Sequence, residues 1–312
     1  MAQSQDPEYT DDFILPFQVG DGAVRGRIIR LADAIDDILA PHAFPPEVAA
    51  LAGETACLVS LCGAALKFDG RLILQAQGAG PAHMVVADYA SDGALRATAQ
   101  FDEEALAGLE APRSAGALLG KGHIAMTVDQ GPDMERYQGV TPLEGDTMAA
   151  IGVGYFAQSE QIPTALKLAV GRIAAPGETE RWRAGGVMAQ LTPAEGGVRG
   201  APSATDPDDE ESWLRAAAFI DTIADDELLD PAISAERLLY RLFHEDGVRV
   251  FDPQPVRAQC RCNSDKIAAV LGRYDADTLG DMTEADGAVH VTCEFCRKNY
   301  RFSTEGEFLD VR

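Results

Sequence analysis

The sequence predicts an α+β fold: an N-terminal antiparallel-sheet domain with helices, an acidic helical linker, and a small C-terminal zinc domain with four cysteine ligands. Three observations predict it. Segments with apolar residues at helical spacing precede a cluster of short strand-like runs set off by Asp-Gly turns. An acidic stretch with amphipathic patterning follows. The chain then closes with two tight cysteine pairs, Cys260-Arg261-Cys262 and Cys293-Glu294-Phe295-Cys296. At 312 residues the chain has room for two or three domains, placed at 1–200, 201–247 and 248–312.

Met1 to Glu8 has neither a basic start nor an apolar core, so it reads as a short disordered acidic lead-in rather than a secretory signal. Ile28 to Leu39 and Pro46 to Leu66 carry apolar residues at helical spacing. Cys57 and Cys62 fall in the second of these, on different sides of the helix, and read as packed core thiols. The Asp69-Gly70 and Asp92-Gly93 turns set off strands at Leu72–Gln77, Met84–Ala87 and Leu95–Phe101. Further strands are expected at His123–Val128, Arg136–Thr141 and Lys167–Ile173, with a helix over Asp146–Phe156. The polar clusters Asp129 to Val140 and Gln158 to Thr164 are either a site or, as the simpler reading, turns tying these elements together.

Around 194–211 the composition changes to Gly, Pro, Ser and acidic residues, which is linker material. Ser203 to Asp246 holds 13 acidic residues against three arginines. The same stretch carries Trp213, Phe219, Ile220, Ile223, Leu228 and Leu229, and after Pro231 it adds Leu238, Leu239, Leu242 and Phe243. This pattern predicts two amphipathic helices with acidic outer faces and apolar stripes laid on the first region's sheet. They are ordinary covering helices or a removable cover; the pattern permits both.

Residues 263 to 292 separate the two cysteine pairs, and Ser264–Leu271 within them reads as a helix. Two such pairs on a short polar domain suit one tetrahedral zinc held by Cys260, Cys262, Cys293 and Cys296. A site closed by four thiolates leaves no open position for substrate, so it staples the domain or acts as an oxidisable switch. Arg261, Arg297 and Lys298 flank the sulfurs and are expected to favour thiolate. His290 is expected near the site without being a ligand.

The formal net charge of −24 argues against a nucleic-acid partner, because phosphate binding needs a basic face. No apolar run approaches the ~20 residues that span a bilayer. Gly116 to Gly122 and Gly152-Val153-Gly154 lack phosphate-loop spacing, and no Gly-x-Ser-x-Gly elbow is present, so an enzyme is not expected. The competing classes are an interaction or nucleic-acid-binding module with a structural zinc ribbon, and a thiol oxidoreductase. The latter lacks a thioredoxin-like setting for its Cys-x-x-Cys.

Together these motifs resemble the redox-regulated 33 kDa heat-shock chaperone family (33 kDa chaperonin). The cysteine spacing is joined by Lys67-Phe68-Asp69-Gly70, Gln77-Gly78-Ala79-Gly80-Pro81, Glu135-Arg136-Tyr137-Gln138-Gly139-Val140, Ser159-Glu160-Gln161-Ile162-Pro163-Thr164, Ala184-Gly185-Gly186 and Phe251-Asp252-Pro253, in family order. The resemblance runs from about Phe13 to Phe308; the acidic N-terminal extension and Cys57 and Cys62 depart from the pattern. It implies a cytoplasmic, ATP-independent holdase, inactive while reduced and monomeric with one zinc per chain. Oxidants such as hypochlorite would then form a Cys293–Cys296 disulfide and release zinc. A Cys260–Cys262 disulfide would follow as the linker loosens, and the homodimer would bind unfolding proteins. From the linker's apolar stripe, Trp213, Phe219, Leu239 and Phe243 are candidates for client binding.

Overall fold

The computed structural model describes residues 11–20, 22–65, 69–131, 134–174, 179–192 and 207–311. The expected lead-in, Lys67-Phe68 and most of the Gly/Pro-rich linker start lie outside these residues. The chain opens with β1 (Phe13–Val19) and β2 (Val24–Leu31), then α1 (Asp33–Leu39) and α2 (Pro46–Gly63). Strands β3 (Arg71–Gly78), β4 (Met84–Ala90) and β5 (Ala94–Gln100) follow. Short helices α3 (Glu103–Ala107) and α4 (Ala115–Leu119) lead to β6 (Gly122–Asp129), β7 (Tyr137–Pro142), α5 (Met148–Tyr155), β8 (Thr164–Ile173) and β9 (Arg181–Leu191). The acidic segment forms α6 (Pro207–Asp221), α7 (Asp225–Leu229) and α8 (Ala235–Phe243).

These strands build two sheets. The first runs β10-β1-β2-β9-β8, where β10 is Val248–Val250, and β11 (Gln254–Pro255) also pairs with β1. The second runs β12-β5-β4-β3-β6-β7, where β12 is Arg257–Ala258; only the β12–β5 pair is parallel. Helix α2 is apolar on nearly every side, as a helix buried all round must be. It packs against strands of both sheets, and its Leu51, Leu58 and Leu61 share one core with Ile14, Ile29, Leu74 and Val85.

The first sheet is buried on both faces. Ile14 and Ile29 point into the α2 core, whereas Phe13, Leu15, Phe17 and Ile28 point the other way, onto Ala216, Ile220, Leu228, Leu239 and Phe243. The expected apolar stripe therefore lies on this sheet, in three helices rather than two. The extra break comes at Thr222, where Thr222 and Ile223 make short turn hydrogen bonds back to Phe219 and Ile220. The single helix expected over 28–39 is instead the end of β2 followed by α1, because a doubly buried strand has no polar face to interrupt its apolar run. Double burial also hid β1 and β9. In β9, a Cβ at Gly185 would stand 2.8 Å from the Leu228 carbonyl oxygen, so glycine lets α7 sit against the strand.

The last part of the chain holds α9 (Ser264–Leu271), α10 (Ala276–Asp281) and a three-stranded sheet of β13 (Val289–Thr292), β14 (Asn299–Phe302) and β15 (Phe308–Val311). Its core is small: Leu271, Leu279, Val289, Tyr300 and Phe302. Before reaching it, the chain passes through β10, β11 and β12, which hydrogen-bond to the first and second sheets.

Candidate metal centre

Strand pairing delivers the first cysteine pair. β12 lies alongside β5, and Gln259 N–H donates to Leu95 O at 2.9 Å, so Cys260 emerges beside the second sheet. Asn263 caps α9 by accepting from Lys266 N–H at 2.8 Å, which fixes Cys262 one residue before the cap. The second pair sits in the tight turn between β13 and β14. There Cys293 N–H donates to Lys298 O and Arg297 N–H to Cys293 O, both at 2.9 Å, with Arg297 at φ +59°.

The turn and the loop bring all four sulfurs within 4.8 Å of one another. Cys260 and Cys293 Sγ are 3.6 Å apart, and Cys262 and Cys296 Sγ are 3.4 Å apart. Four sulfurs on a tetrahedral zinc at ~2.3 Å stand about 3.8 Å from each other, so the cluster has the size and donor set that zinc takes. Without a cation the thiols cannot all ionise. Burial opposes ionisation of Cys260, yet hydrogen bonds from the Cys262 backbone and the neighbouring thiols outweigh it and hold Cys260 below the ordinary value. Burial pushes Cys293 and Cys296 up, and the charge on Cys260 adds to this. A divalent ion removes that conflict.

Tyr300, buried in β14, places its Oη 3.1 Å from Cys262 Sγ. That contact, followed by burial, pushes the phenol up and keeps its proton in place to donate. The turn also docks on the second sheet. Thr98 Oγ1 donates to Glu294 O at 2.8 Å, and Gln100 Nε2 donates to Glu294 Oε2 at 3.0 Å. His42 Nε2–H donates to Phe295 O at 3.0 Å, and the Arg96 guanidinium lies 3.8 Å over the Phe295 ring. Asp88, buried in β4, holds Arg96 at 2.6 Å and Arg261 at 2.8 Å. Burial pushes Asp88 up, and Arg96 opposes the shift.

The structure thus brings together Cys260, Cys262, Cys293 and Cys296 as expected, but revises their surroundings. Arg261 turns to Asp88, and the guanidinium that reaches Cys260 Sγ, at 4.0 Å, belongs to Arg96. His290 pairs with Asp286 at 3.1 Å and stays out of the cluster. Arg96, Asp88 and Tyr300 were not legible from sequence, since no spacing rule links them to the cysteines. Cys57 and Cys62 are buried in α2, where burial raises both thiols, Cys62 to about 12. Trp213, Phe219, Leu239 and Phe243 gather in the apolar cluster beneath the linker helices, a different core from that of the cysteines. No helix of the described residues is long and apolar enough to cross a membrane.

Comparison with known proteins adds four findings. The sequence model for the Hsp33 protein family matches residues 12–303. A 33 kDa chaperonin of Caulobacter vibrioides is 46% identical over 300 residues, covering 95% of this chain and 96% of the relative. A 33 kDa chaperonin of Pseudomonas putida is 34% identical over 308 residues, 97% of this chain and 93% of the relative. The crystal structure of a 33 kDa chaperonin from Thermotoga maritima superposes with a TM-score of 0.73 at 22% identity, covering 95% of this chain and 96% of that one, which bears on the fold.

Proposed function

The chain belongs to the Hsp33 family and is a chaperone, and from that premise we propose that it is an ATP-independent holdase switched on by oxidation of its four clustered cysteines. The observation that carries this reading is the cluster itself: four sulfurs within 4.8 Å, in a unit whose own core is five residues. Zinc, when bound, would hold Cys260, Cys262, Cys293 and Cys296 as thiolates and supply ~10–16 kcal/mol of apparent folding free energy.

The redox step follows from the sulfurs' chemistry. The Cys293 thiolate attacks the chlorine of hypochlorous acid, forming a sulfenyl chloride and releasing hydroxide. The Cys296 thiolate displaces chloride and closes the disulfide. Two electrons pass from the two sulfurs to chlorine, and a second equivalent of oxidant joins Cys260 to Cys262 in the same way. Disulfide sulfurs no longer serve as thiolate ligands, so the four cysteines would no longer hold zinc. The C-terminal unit then keeps too small a core to stay folded.

Unfolding carries outward along the chain. The docked turn gives up Thr98, Gln100, His42 and Arg96, and the strands at 248–258 lose their anchor. We keep the three-part division at 1–200, 201–247 and 248–312 as a proposal, with 248–258 as the tether. Released from it, α6 to α8 lift from the first sheet and expose Trp213, Phe219, Leu239 and Phe243 together with the sheet face beneath them. Unfolding clients bind there, in the cytoplasm, to an oxidised homodimer; the reduced form is a monomer. The net charge of −24 keeps such complexes in solution.

Metal and thiol counting test the switch. Reduced protein is expected to carry one zinc per chain, and two equivalents of hypochlorite are expected to release it while removing four titratable thiols. Zinc retained after all four thiols are lost would refute the proposed switch.

A further inference from the structure

We propose that Tyr300 is a positioning residue for the redox step, restraining Cys262 so that Cys293 and Cys296 oxidise first; this rests on the zinc–thiolate reading above. Two features of the geometry point to it. The Tyr300 ring is fixed among Leu271, Leu279, Val289 and Phe302, so its hydroxyl cannot follow the C-x-C loop when that loop moves. From this fixed place Oη stands 3.1 Å from Cys262 Sγ and 3.4 Å from Cys262 O.

The sulfurs of the other pair are held differently. Cys293 takes hydrogen bonds from the backbone of Cys296 and Phe295, and Cys296 takes one from Lys298. These donors belong to the turn that carries the sulfurs, so they travel with it. The bond from Tyr300 comes from β14, outside the C-x-C loop, and must break before Cys262 can rotate toward Cys260.

An O–H···S⁻ bond also draws charge off the sulfur, which slows its attack on an electrophilic oxidant. The proton stays on the tyrosine oxygen throughout. Each disulfide still forms by loss of two electrons to the oxidant, with chloride and hydroxide as the by-products of hypochlorous acid. Tyr300 changes which pair reacts first, not the stoichiometry. Outer-sphere hydrogen bonds to metal ligands commonly alter ligand behaviour on the order of tenfold or more.

The test uses full-length, reduced, zinc-loaded protein. Wild type and Tyr300→Phe are pulsed with a thiol-alkylating reagent or with substoichiometric hypochlorite, and each cysteine is quantified by mass spectrometry. Cys262 is expected to be the slowest of the four in wild type and to speed up on the order of tenfold in Tyr300→Phe, with Cys293 unchanged. Phe308→Leu alters packing against the same ring, whose centroid lies 6.4 Å away, without removing the hydroxyl, and should keep the wild-type pattern. An unchanged Cys262 rate in Tyr300→Phe overturns the inference. So does wild-type protein in which Cys262 reacts as fast as Cys293, a result that needs no variant to fold. Wild-type protein that holds no zinc overturns the underlying reading instead, and this inference with it.

Discussion

Arg30 Nη2 donates to the carbonyl oxygen of Asp230 at 2.6 Å, joining the end of β2 to the end of α7 across 200 positions of sequence. Arg30 is 2% exposed, and burial pushes its guanidinium down to about 10, so it remains charged at neutral pH. Its Nη1 reaches Glu227 O at 3.4 Å, and Arg183 Nε donates to Leu229 O at 3.0 Å. Asp11 pairs with both arginines. Two strands of the first sheet thus supply the donors that the last carbonyls of α7 lack. These bonds fasten α7 to the first sheet directly.

Arg30→Leu is therefore expected to loosen the linker with the cysteines untouched. Leaving the α7 carbonyls without donors costs ~1–3 kcal/mol. Limited proteolysis of the reduced variant should cut within 207–243 faster than in wild type, and the reduced variant should gain partial holdase activity. Wild-type protease resistance and silence in the reduced state would contradict this.

Phe243→Ala acts on the linker's apolar side. Phe243 is fully buried, its ring 5.8 Å from Phe17 and 6.2 Å from Phe219. Truncating a buried Phe to Ala costs ~3–5 kcal/mol, so backbone amides of 235–243 should exchange hydrogen faster by roughly two to four decades. Amides of α2 should exchange as in wild type. Equal acceleration in both places would mean the linker and core unfold as one unit.

Chelating zinc from the reduced protein should melt the C-terminal unit and loosen α6 to α8, while the core around α2 stays folded. Protection from exchange is expected to vanish in α9, β13 and β14 and to persist in β3 and β6. Persistent protection in β14 would show that the five-residue core suffices without metal.

Glu54 supplies a pH dependence separate from the four clustered cysteines. Burial, and then the charge of Asp225 in α7, push its carboxyl up to about 7, against the Met148 backbone and Lys167. Lys167 is itself paired with Asp225 at 2.9 Å. Because the folded value lies above the unfolded one, the contribution is full below about 4.5 and is lost as pH rises through about 7. Urea unfolding should show wild type losing on the order of 1–3 kcal/mol from pH 5 to 8 relative to Glu54→Gln. Parallel pH profiles would remove Glu54 as the cause.

Much of this architecture was legible because its signals are local. Ser264–Leu271 is a short amphipathic helix with an Asn cap, and its predicted bounds are those observed. Strand β3 alternates and follows the Asp69-Gly70 turn, and β5 follows the Asp92-Gly93 turn, so they too were found. Ile28 and Ile29 were misread because both faces of β2 are buried, which erases the alternation that marks a strand. The cysteine quartet announced itself by spacing. Its supports did not: Arg96, Asp88 and Thr98 reach it from strands more than 160 positions away, a relationship created by folding alone.

The most direct measurement of the central claim is light scattering from a thermally unfolding client, with zinc release followed in the same tube by a chromogenic chelator. The protein is added either reduced and zinc-loaded or oxidised with hypochlorite. The account predicts suppression by the oxidised form only, arising together with zinc loss. Equal suppression by both forms, or by neither, would contradict it and leave the four cysteines as a structural staple.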